Sequence, residues 1–376
     1  LPPTPQPLNA SHLEIHLTTT PPPAPGSPTA TSCNDHMIIA DWTSSTGWST
    51  PQLLPYGPIE MLPSASVLHY STSCFEGLKL YCGHDGTLRL FRPSANCTRL
   101  LRSAQRISLP DFDPEEVRKL IHSLCAIDGP RWLPDSHPGR FLYLRPTIIG
   151  TDSSLGFRVP QAARLMIIMC CWPTIQAAGD EGMRVVVSDK GSVRAWPGGT
   201  GDAKFGANYG PTLLAHGWAT GMGFDQVLWV FGEDDRVTES GSSNFFVVWE
   251  VDGGGVEVVT CPVEGGLVLP GITRGSVLEL LRGRLGEGLS EGLSEGLSEG
   301  VRPVRVVERE YTMGEVRDKA RSGRLLGAFV VGTAYFVTPV KFVDYRGEGL
   351  EVPVGRAPYV ELLQEWLADV MFGRVE

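Results

Sequence analysis

The sequence predicts a two-domain protein of the α+β class, a mixed α/β chain with a small first domain and a larger, barrel-like second one. Three observations carry the two-domain, mixed reading. The chain has 376 residues, 42% of them apolar, which is too much for one small domain and enough for two cores. Apolar runs of strand length alternate with a few stretches that carry helix-start signals. After the run ending at Cys171, residues 172–182 read WPTIQAAGDEG, small and turn-forming residues that mark a joint. The division is therefore a Pro/Thr-rich lead (1–34), a small domain (35–171), a linker (172–182) and a large domain (183–376).

In the first domain, strands are expected at His36–Trp42, Val67–Tyr70, Leu78–Cys82, Leu88–Phe91, Phe141–Ile149 and Arg164–Cys171. His84-Asp85-Gly86 supplies a hairpin turn. Ser94 reads as the N-cap of a helix over Ala95–Ile107, and Asp113-Pro114-Glu115-Glu116 opens another with proline at its first position. In the second domain, strands are expected at Met183–Ser188, Gln226–Phe231, Asn244–Glu250, Val256–Cys261, Leu325–Val331 and Tyr335–Val343. Helices are expected over Pro211–Thr220, Thr273–Leu281 and Ala357–Phe372, with a short one behind the capping box Thr312-x-x-Glu315. Residues 286–300 (GEGLSEGLSEGLSEG) repeat glycine too often for a packed helix and read as a mobile surface insertion.

Composition narrows the function. There are 32 basic and 42 acidic residues, a net charge of −10, and no basic patch of the kind nucleic acid requires. No apolar run approaches the roughly 18 residues that span a bilayer. Eight cysteines in so long a chain do not make a disulfide framework, and none of them forms a zinc-type cluster. The lead holds nine of the thirty prolines, and no Lys or Arg precedes Lys79. That is unlike a secretory or mitochondrial leader and points to the cytoplasm. The chain begins at Leu1 rather than Met, so a mitochondrial leader ahead of it remains compatible. The sequons at Asn9 and Asn96 read as coincidence.

Lysine is scarce, with only six in the chain. Lys204 stands out because it lies in GDAKFGANYG, where glycines and small residues let a ligand approach the backbone. A lysine kept from water there loses basicity and becomes nucleophilic. On local sequence alone, a surface lysine in a glycine-rich turn is the favoured reading. Its companions are Tyr209, Glu239 in TESGSSNFF just ahead of a strand, the helix start Gly271-Ile272-Thr273, Gly332-Thr333-Ala334, and Arg99. Helix starts and backbone amides of this kind bind anions.

These segments resemble the branched-chain-amino-acid aminotransferases, pyridoxal-phosphate enzymes of fold type IV. The resemblance runs through LHYSTSCFEGLK (68–79), FRPSANCTRL (91–100), LYLRPTIIG with SLGF (142–157), VRAWPGGTGDAKFGANYGP (193–211), TESGSSNFF (238–246), LPGITRGSVLEL (269–280) and VGTAYFVTPV (331–340). The style of GDAKFGANY and TAYFVTPV is most similar to fungal members.

The resemblance implies a ping-pong transamination between L-leucine, L-isoleucine or L-valine and 2-oxoglutarate. Lys204 matches the lysine that holds pyridoxal 5'-phosphate as an internal aldimine and then shuttles the substrate proton. Glu239 matches the carboxylate on the pyridine nitrogen, and Tyr209 the phenol on the ring 3-oxygen. Arg99, the Ile272 and Thr273 amides and Thr333 match the phosphate cup. The Thr333 and Ala334 amides match the α-carboxylate site. Tyr70, Phe75, Tyr143, Leu155 and Phe157 match the apolar side-chain wall, and Arg145 the group for the second carboxylate of glutamate. Family membership also implies a homodimer, with the partner lending Tyr70 and the SLGF loop.

Some positions depart from the family. Its usual Val-Gly-Thr-Met is Ser240-Gly241-Ser242-Ser243 here, and its Gly-Gly-Asn-Tyr is Gly206-Ala207-Asn208-Tyr209. The redox C-x-x-C of some animal members falls at Tyr335 and Thr338, so no thiol switch is expected. The lead and the 286–300 repeat hint at a secondary-metabolism paralogue. Other readings are a D-amino-acid aminotransferase, an aminodeoxychorismate-lyase-like enzyme, or a non-catalytic scaffold docking through the repeat.

Overall fold

The computed structural model describes residues 5–18, 32–133, 139–171, 182–286, 301–356 and 358–375. The expected linker, most of the repeat and much of the lead lie outside these residues. The chain forms two compact units: Leu1–Thr174 with Ala203–Ala207 and Asp369–Glu376, and Ile175–Asp202 with Asn208–Ala368. The sequence had put all of 183–376 in one domain; residues 203–207 and 369–376 instead fall in the first unit.

The first unit contains β1 (Glu14–Ile15), β2 (His36–Thr43), β3 (Gly47–Trp48), β4 (Gln52–Pro55), α1 (Ser66–Tyr70), β5 (Ser73–Phe75), β6 (Leu78–Cys82), β7 (Leu88–Leu90), α2 (Pro93–Arg106), α3 (Pro114–Trp132), β8 (Phe141–Gly150) and β9 (Ala162–Cys171). Its sheet runs β1-β4-β2-β9-β8-β6-β7, with β3 on β2 and β5 on β8. Buried Leu100, Ala104, Val117, Leu120 and Leu124 of α2 and α3 share one core with Ile38, Leu80, Leu144 and Leu165 of the sheet. The two helices thus cover one sheet face. Asp113 caps α3 by accepting from the Glu115 amide at 2.9 Å, with Pro114 at the first position. The lead is not a loose tail where it is described: Leu8 joins the core, and the Ala10 amide donates to Glu116 at 2.6 Å.

Two expectations in this unit need correction. Val67–Tyr70 is not a strand but the end of helix α1, which stops at Ser71 with φ 53°. A short apolar run carries no periodicity that separates helix from strand; here the Ser66 amide bonded to Asp152 O at 3.1 Å anchors the turn, leaving Leu68 outside. Ser94 is not an N-cap. Pro93 takes the first helical position and Arg92 caps in the left-handed region at φ 49°, because proline's fixed φ suits a helix start.

Lys79 on β6 is buried, with Nζ 3.9 Å from the Phe141 ring centroid. Burial pulls its pKa down to about 8 from 10.5. Between these values the folded chain binds fewer protons at this group than the unfolded chain does, so its contribution to stability rises with pH across that window. Below the folded pKa the full cost of a buried ammonium is present. Lys79→Met should therefore stabilise the protein at pH 7 by on the order of 3 kcal/mol, an advantage over the parent that shrinks between pH 8 and 10.5. Urea unfolding of both proteins across pH checks this.

The second unit contains β10 (Met183–Val187), α4 (Leu213–Gly221), β11 (Gln226–Phe231), β12 (Arg236–Ser240), β13 (Ser243–Glu250), β14 (Val256–Thr260), α5 (Ile272–Leu285), β15 (Val304–Glu308), α6 (Met313–Arg321), β16 (Leu325–Gly332), β17 (Phe336–Tyr345), β18 (Glu348–Glu351) and most of α7 (Tyr359–Met371). The sheet order is β12-β11-β10-β17-β16-β13-β14-β15, and β12 also pairs with β13. That last pairing closes six strands into a ring, so this unit is a barrel with β14–β15 and β18 attached. Val185, Val247 and Val330 of the barrel share a core with Met313 and Val316 of α6. The capping box of α6 is present in both directions, Glu315 N to Thr312 and Thr312 N to Glu315, each 3.2 Å.

Glu239 was expected ahead of a strand. It lies within one, β12, which turns into β13 through Gly241-Ser242 with Gly241 at φ 57°. The polar run of residues 236–240 disguised a strand made in a hairpin.

Candidate active site

Lys204 sits in a short segment added to the first unit as an extra strand partner. Its amide donates to Ser103 Oγ of α2 at 3.0 Å, and its carbonyl accepts from the Phe75 amide of β5 at 3.1 Å. Phe205 bridges Cys74, and a Cβ on Gly206 would fall 2.5 Å from Ser73 Oγ. The backbone on both sides of the lysine is thereby fixed against α2 and β5. This is why 203–207 belongs with the first unit.

The Lys204 ammonium lies 5.1 Å from the Phe75 ring centroid. Its pKa is lowered, first by burial and then by the Arg99 charge; Arg145 adds to the shift, while Glu76 and Tyr143 oppose it. These are the conditions for an amine that is free to act as nucleophile and base. Arg145 stacks over Phe75 at 4.6 Å and Tyr143 at 5.2 Å, and its Nη2 donates to the Tyr143 hydroxyl at 3.1 Å. Its buried Nε has no hydrogen-bond partner among the described residues. Gly77 allows this packing, since a Cβ there would sit 1.9 Å from the Tyr143 hydroxyl. Phe75, Tyr143, Arg145, Arg99 and Lys204 are thus brought together. Tyr70, Leu155 and Phe157 are not part of this group. They form an outer cluster, with the Tyr70 hydroxyl donating to Leu155 O and its ring 5.7 Å from that of Phe157. Phe157 is 88% exposed.

Glu76 is the residue that the sequence reading missed here. Buried beside α2, it accepts from Arg99 Nε at 2.7 Å and Nη2 at 2.8 Å, and from Asn96 Nδ2 at 2.8 Å. A bidentate carboxylate fixes the plane of the guanidinium. The hint was that Phe75 and Gly77, on either side of it, each had a reason to be there. Removing one member of a buried pair strands the other charge. Glu76→Gln should cost roughly 3 kcal/mol, and adding Arg99→Gln should cost less than the sum of the two changes. A double-mutant cycle by urea unfolding measures this.

In the second unit, Glu239 is a fully embraced carboxylate. Arg194 Nη2 lies 2.5 Å from its Oε2, while Asn244 Nδ2 and the Leu269 amide donate to Oε1 at 3.1 and 2.9 Å. Arg194 also donates to Leu267 O at 3.1 Å. Neither Arg194 nor Asn244 was singled out from sequence, although both lie in the quoted segments. Asn244 further donates to Leu269 O, and a Cβ on Gly271 would fall 2.1 Å from its Oδ1. The same asparagine therefore holds both Glu239 and the approach to α5. That helix starts at Ile272 behind Gly271, with no side chain capping it among the described residues, so the amides of Ile272 and Thr273 offer a helix-start anion site. Thr333 and Ala334 occupy the tight turn between paired Gly332 and Phe336. Tyr209 precedes α4, and its carbonyl accepts from Thr212 Oγ1 at 2.7 Å. Ser240, where the family has valine, has a buried hydroxyl with no partner among the described residues.

The family profile "Amino-transferase class IV" matches residues 73–295. The branched-chain-amino-acid aminotransferase of Schizosaccharomyces pombe mitochondria is 37% identical over 98% of this chain and 84% of its own length. The cytosolic one of Saccharomyces cerevisiae is 38% identical over 98% of this chain and 96% of its own length. The chain belongs to the branched-chain-amino-acid aminotransferases. Its fold is theirs too: the crystal structure of the Escherichia coli enzyme superposes with a TM-score of 0.68 at 22% identity, covering 91% of this chain and 96% of that one. The two units of this aminotransferase are accordingly those of a fold type IV enzyme.

Proposed function

We propose that this aminotransferase moves the amino group of L-leucine, L-isoleucine or L-valine to 2-oxoglutarate, and that Lys204 carries the chemistry. The observation that supports this most is Lys204 itself, an ammonium with lowered pKa facing the aromatic wall of Phe75 and Tyr143 and the charge of Arg145. Pyridoxal phosphate, the cofactor of class IV aminotransferases, supplies the electron sink that makes the substrate Cα–H acidic. The donor set fits it: a paired arginine and a bare helix start for a phosphate dianion, and a buried carboxylate for a ring N–H.

In this reading Lys204 would hold the cofactor and would take the proton from the substrate Cα and return it. Glu239, held by Arg194 and two N–H donors, would pair with the ring nitrogen, and Tyr209 with the ring 3-oxygen. The family resemblance assigns the phosphate to Arg99, which Glu76 orients, and to the Ile272 and Thr273 amides and Thr333. The Thr333 and Ala334 amides take the α-carboxylate. Phe75 and Tyr143 exclude water around a branched apolar side chain. Arg145 meets the second carboxylate of glutamate, so one pocket serves both half-reactions.

A panel of amino donors with 2-oxoglutarate tests this. L-leucine, L-isoleucine and L-valine should exceed D-leucine in kcat/KM by at least about 100-fold. A preference for D-amino acids, or pyruvate release from aminodeoxychorismate without transamination, would replace this reading with the D-specific or lyase one.

The assembly is read as a homodimer. Tyr70, Leu155 and Phe157 form an apolar cluster on the outside of their unit, with Leu155 61% and Phe157 88% exposed, and such a surface is suited to a second copy of the chain. Light scattering should give twice the 40.8 kDa chain mass, and Phe157→Asp should shift it toward the monomer.

A further inference from the structure

Outside the residues assigned above, two thiols face each other across a ladder. Cys33, in the strand-like segment ahead of β2, forms an antiparallel bridge with Cys170 of β9. The flanking bonds are Asn34 N to Met169 O and Cys171 N to Ser32 O, both 3.0 Å. The pair itself exchanges no backbone hydrogen bonds. It therefore occupies the narrow position of an antiparallel ladder, where Cα atoms approach to about 4.5 Å and both side chains leave the same face. That separation lies within the range a disulfide accepts, about 4.4–6.8 Å. Cys170 and Tyr56 are the neighbours that act on the Cys33 thiol. Cys33 is half-buried and reachable; Cys170 is buried at 6% exposure.

We propose that Cys33 and Cys170 form a reversible cross-strand disulfide, a modification site whose co-substrate is a low-molecular-weight disulfide. Cys33 is the attacking thiol. The facing Cys170 thiol, then Tyr56, hold its pKa down at about 6 against the opposing effect of burial. The pKa of the Cys170 thiol is raised, chiefly by the facing Cys33 and by burial. The thiols of Cys97, Cys125 and Cys261 are pushed up to about 12 by burial and stay inert. The Cys33 thiolate attacks one sulfur of the small disulfide, forming a mixed disulfide and expelling one small thiolate. With the Cys33 charge gone, Cys170 loses the main cause of its raised pKa. It gives up its proton, attacks the Cys33 sulfur and displaces the second small thiolate. Two protein thiols lose two electrons, and one small disulfide becomes two thiols.

The bond fastens residues 32–34 to β9 directly opposite Tyr143 of β8, whose register partner is Cys170. It is independent of positions 335 and 338, where the family comparison had left no thiol switch.

The test treats the purified holoenzyme with oxidised and reduced glutathione in varied ratio at pH 7, followed by alkylation and peptide mapping. A cross-linked peptide joining Cys33 to Cys170 is expected, with loss of two hydrogens and full reversal by dithiothreitol. Cys170→Ser should instead accumulate one glutathione on Cys33, and Cys33→Ser should form neither product. In reduced enzyme, Cys33 should be alkylated at least about tenfold faster than any other cysteine. A stable glutathione adduct on Cys33 in the parent protein, or no product at any ratio, would overturn the proposal. So would a cross-link that survives Cys33→Ser. Both serines replace small side chains, and thermal unfolding of each variant confirms that it is folded.

Discussion

Lys204→Ala should lower kcat by at least about 10⁴-fold with every amino donor, while the protein stays folded. The side chain is not what holds the local structure. Its backbone is clamped by Ser103 and the Phe75 amide, and those bonds survive the truncation. Removing an ammonium that sits at a burial cost should leave thermal stability unchanged or slightly raised. Lys204→Arg should be nearly as inactive, since guanidinium stays protonated and is a poor nucleophile. Steady-state kinetics together with circular dichroism distinguish lost chemistry from lost fold. Substantial turnover by the alanine variant would remove Lys204 from the chemistry.

Glu239→Gln should lower kcat by about 10²–10³-fold, because the carboxylate supplies fixed charge where the reaction needs it. The amide is nearly isosteric and can still accept from Asn244 or the Leu269 amide, but it leaves Arg194 without its 2.5 Å partner. A stability loss of roughly 3 kcal/mol should therefore accompany the kinetic one. Glu239→Asp keeps the charge and should recover part of the rate. If Glu239→Gln lost stability but kept its kcat, the residue would be a structural partner of Arg194 alone.

Much of this was legible in the sequence because the chemistry-bearing residues are of unusual kinds in unusual places. Lys204 is one of six lysines and lies among glycines, and the Pro114 and Thr312 helix starts follow from local rules that the fold then obeys. What escaped was set by partners distant in the chain. Glu76 reads as an ordinary acidic residue until α2 places Arg99 and Asn96 against it, and Arg194 until the barrel places Glu239 beside it. Val67–Tyr70 failed as a strand for the same reason: its conformation is decided by anchors at Ser66 and Ser71, outside the apolar run. Closure of the barrel depends on one pairing, β12 to β13, whose first strand was not assigned from sequence.

The most direct measurement is the visible absorption spectrum of the purified protein loaded with pyridoxal phosphate, recorded before and after L-leucine and again after 2-oxoglutarate. The proposed function requires a visible band that is absent in Lys204→Ala, bleaches with L-leucine and returns with 2-oxoglutarate. A band indifferent to L-leucine, or one that Lys204→Ala retains unchanged, would contradict it.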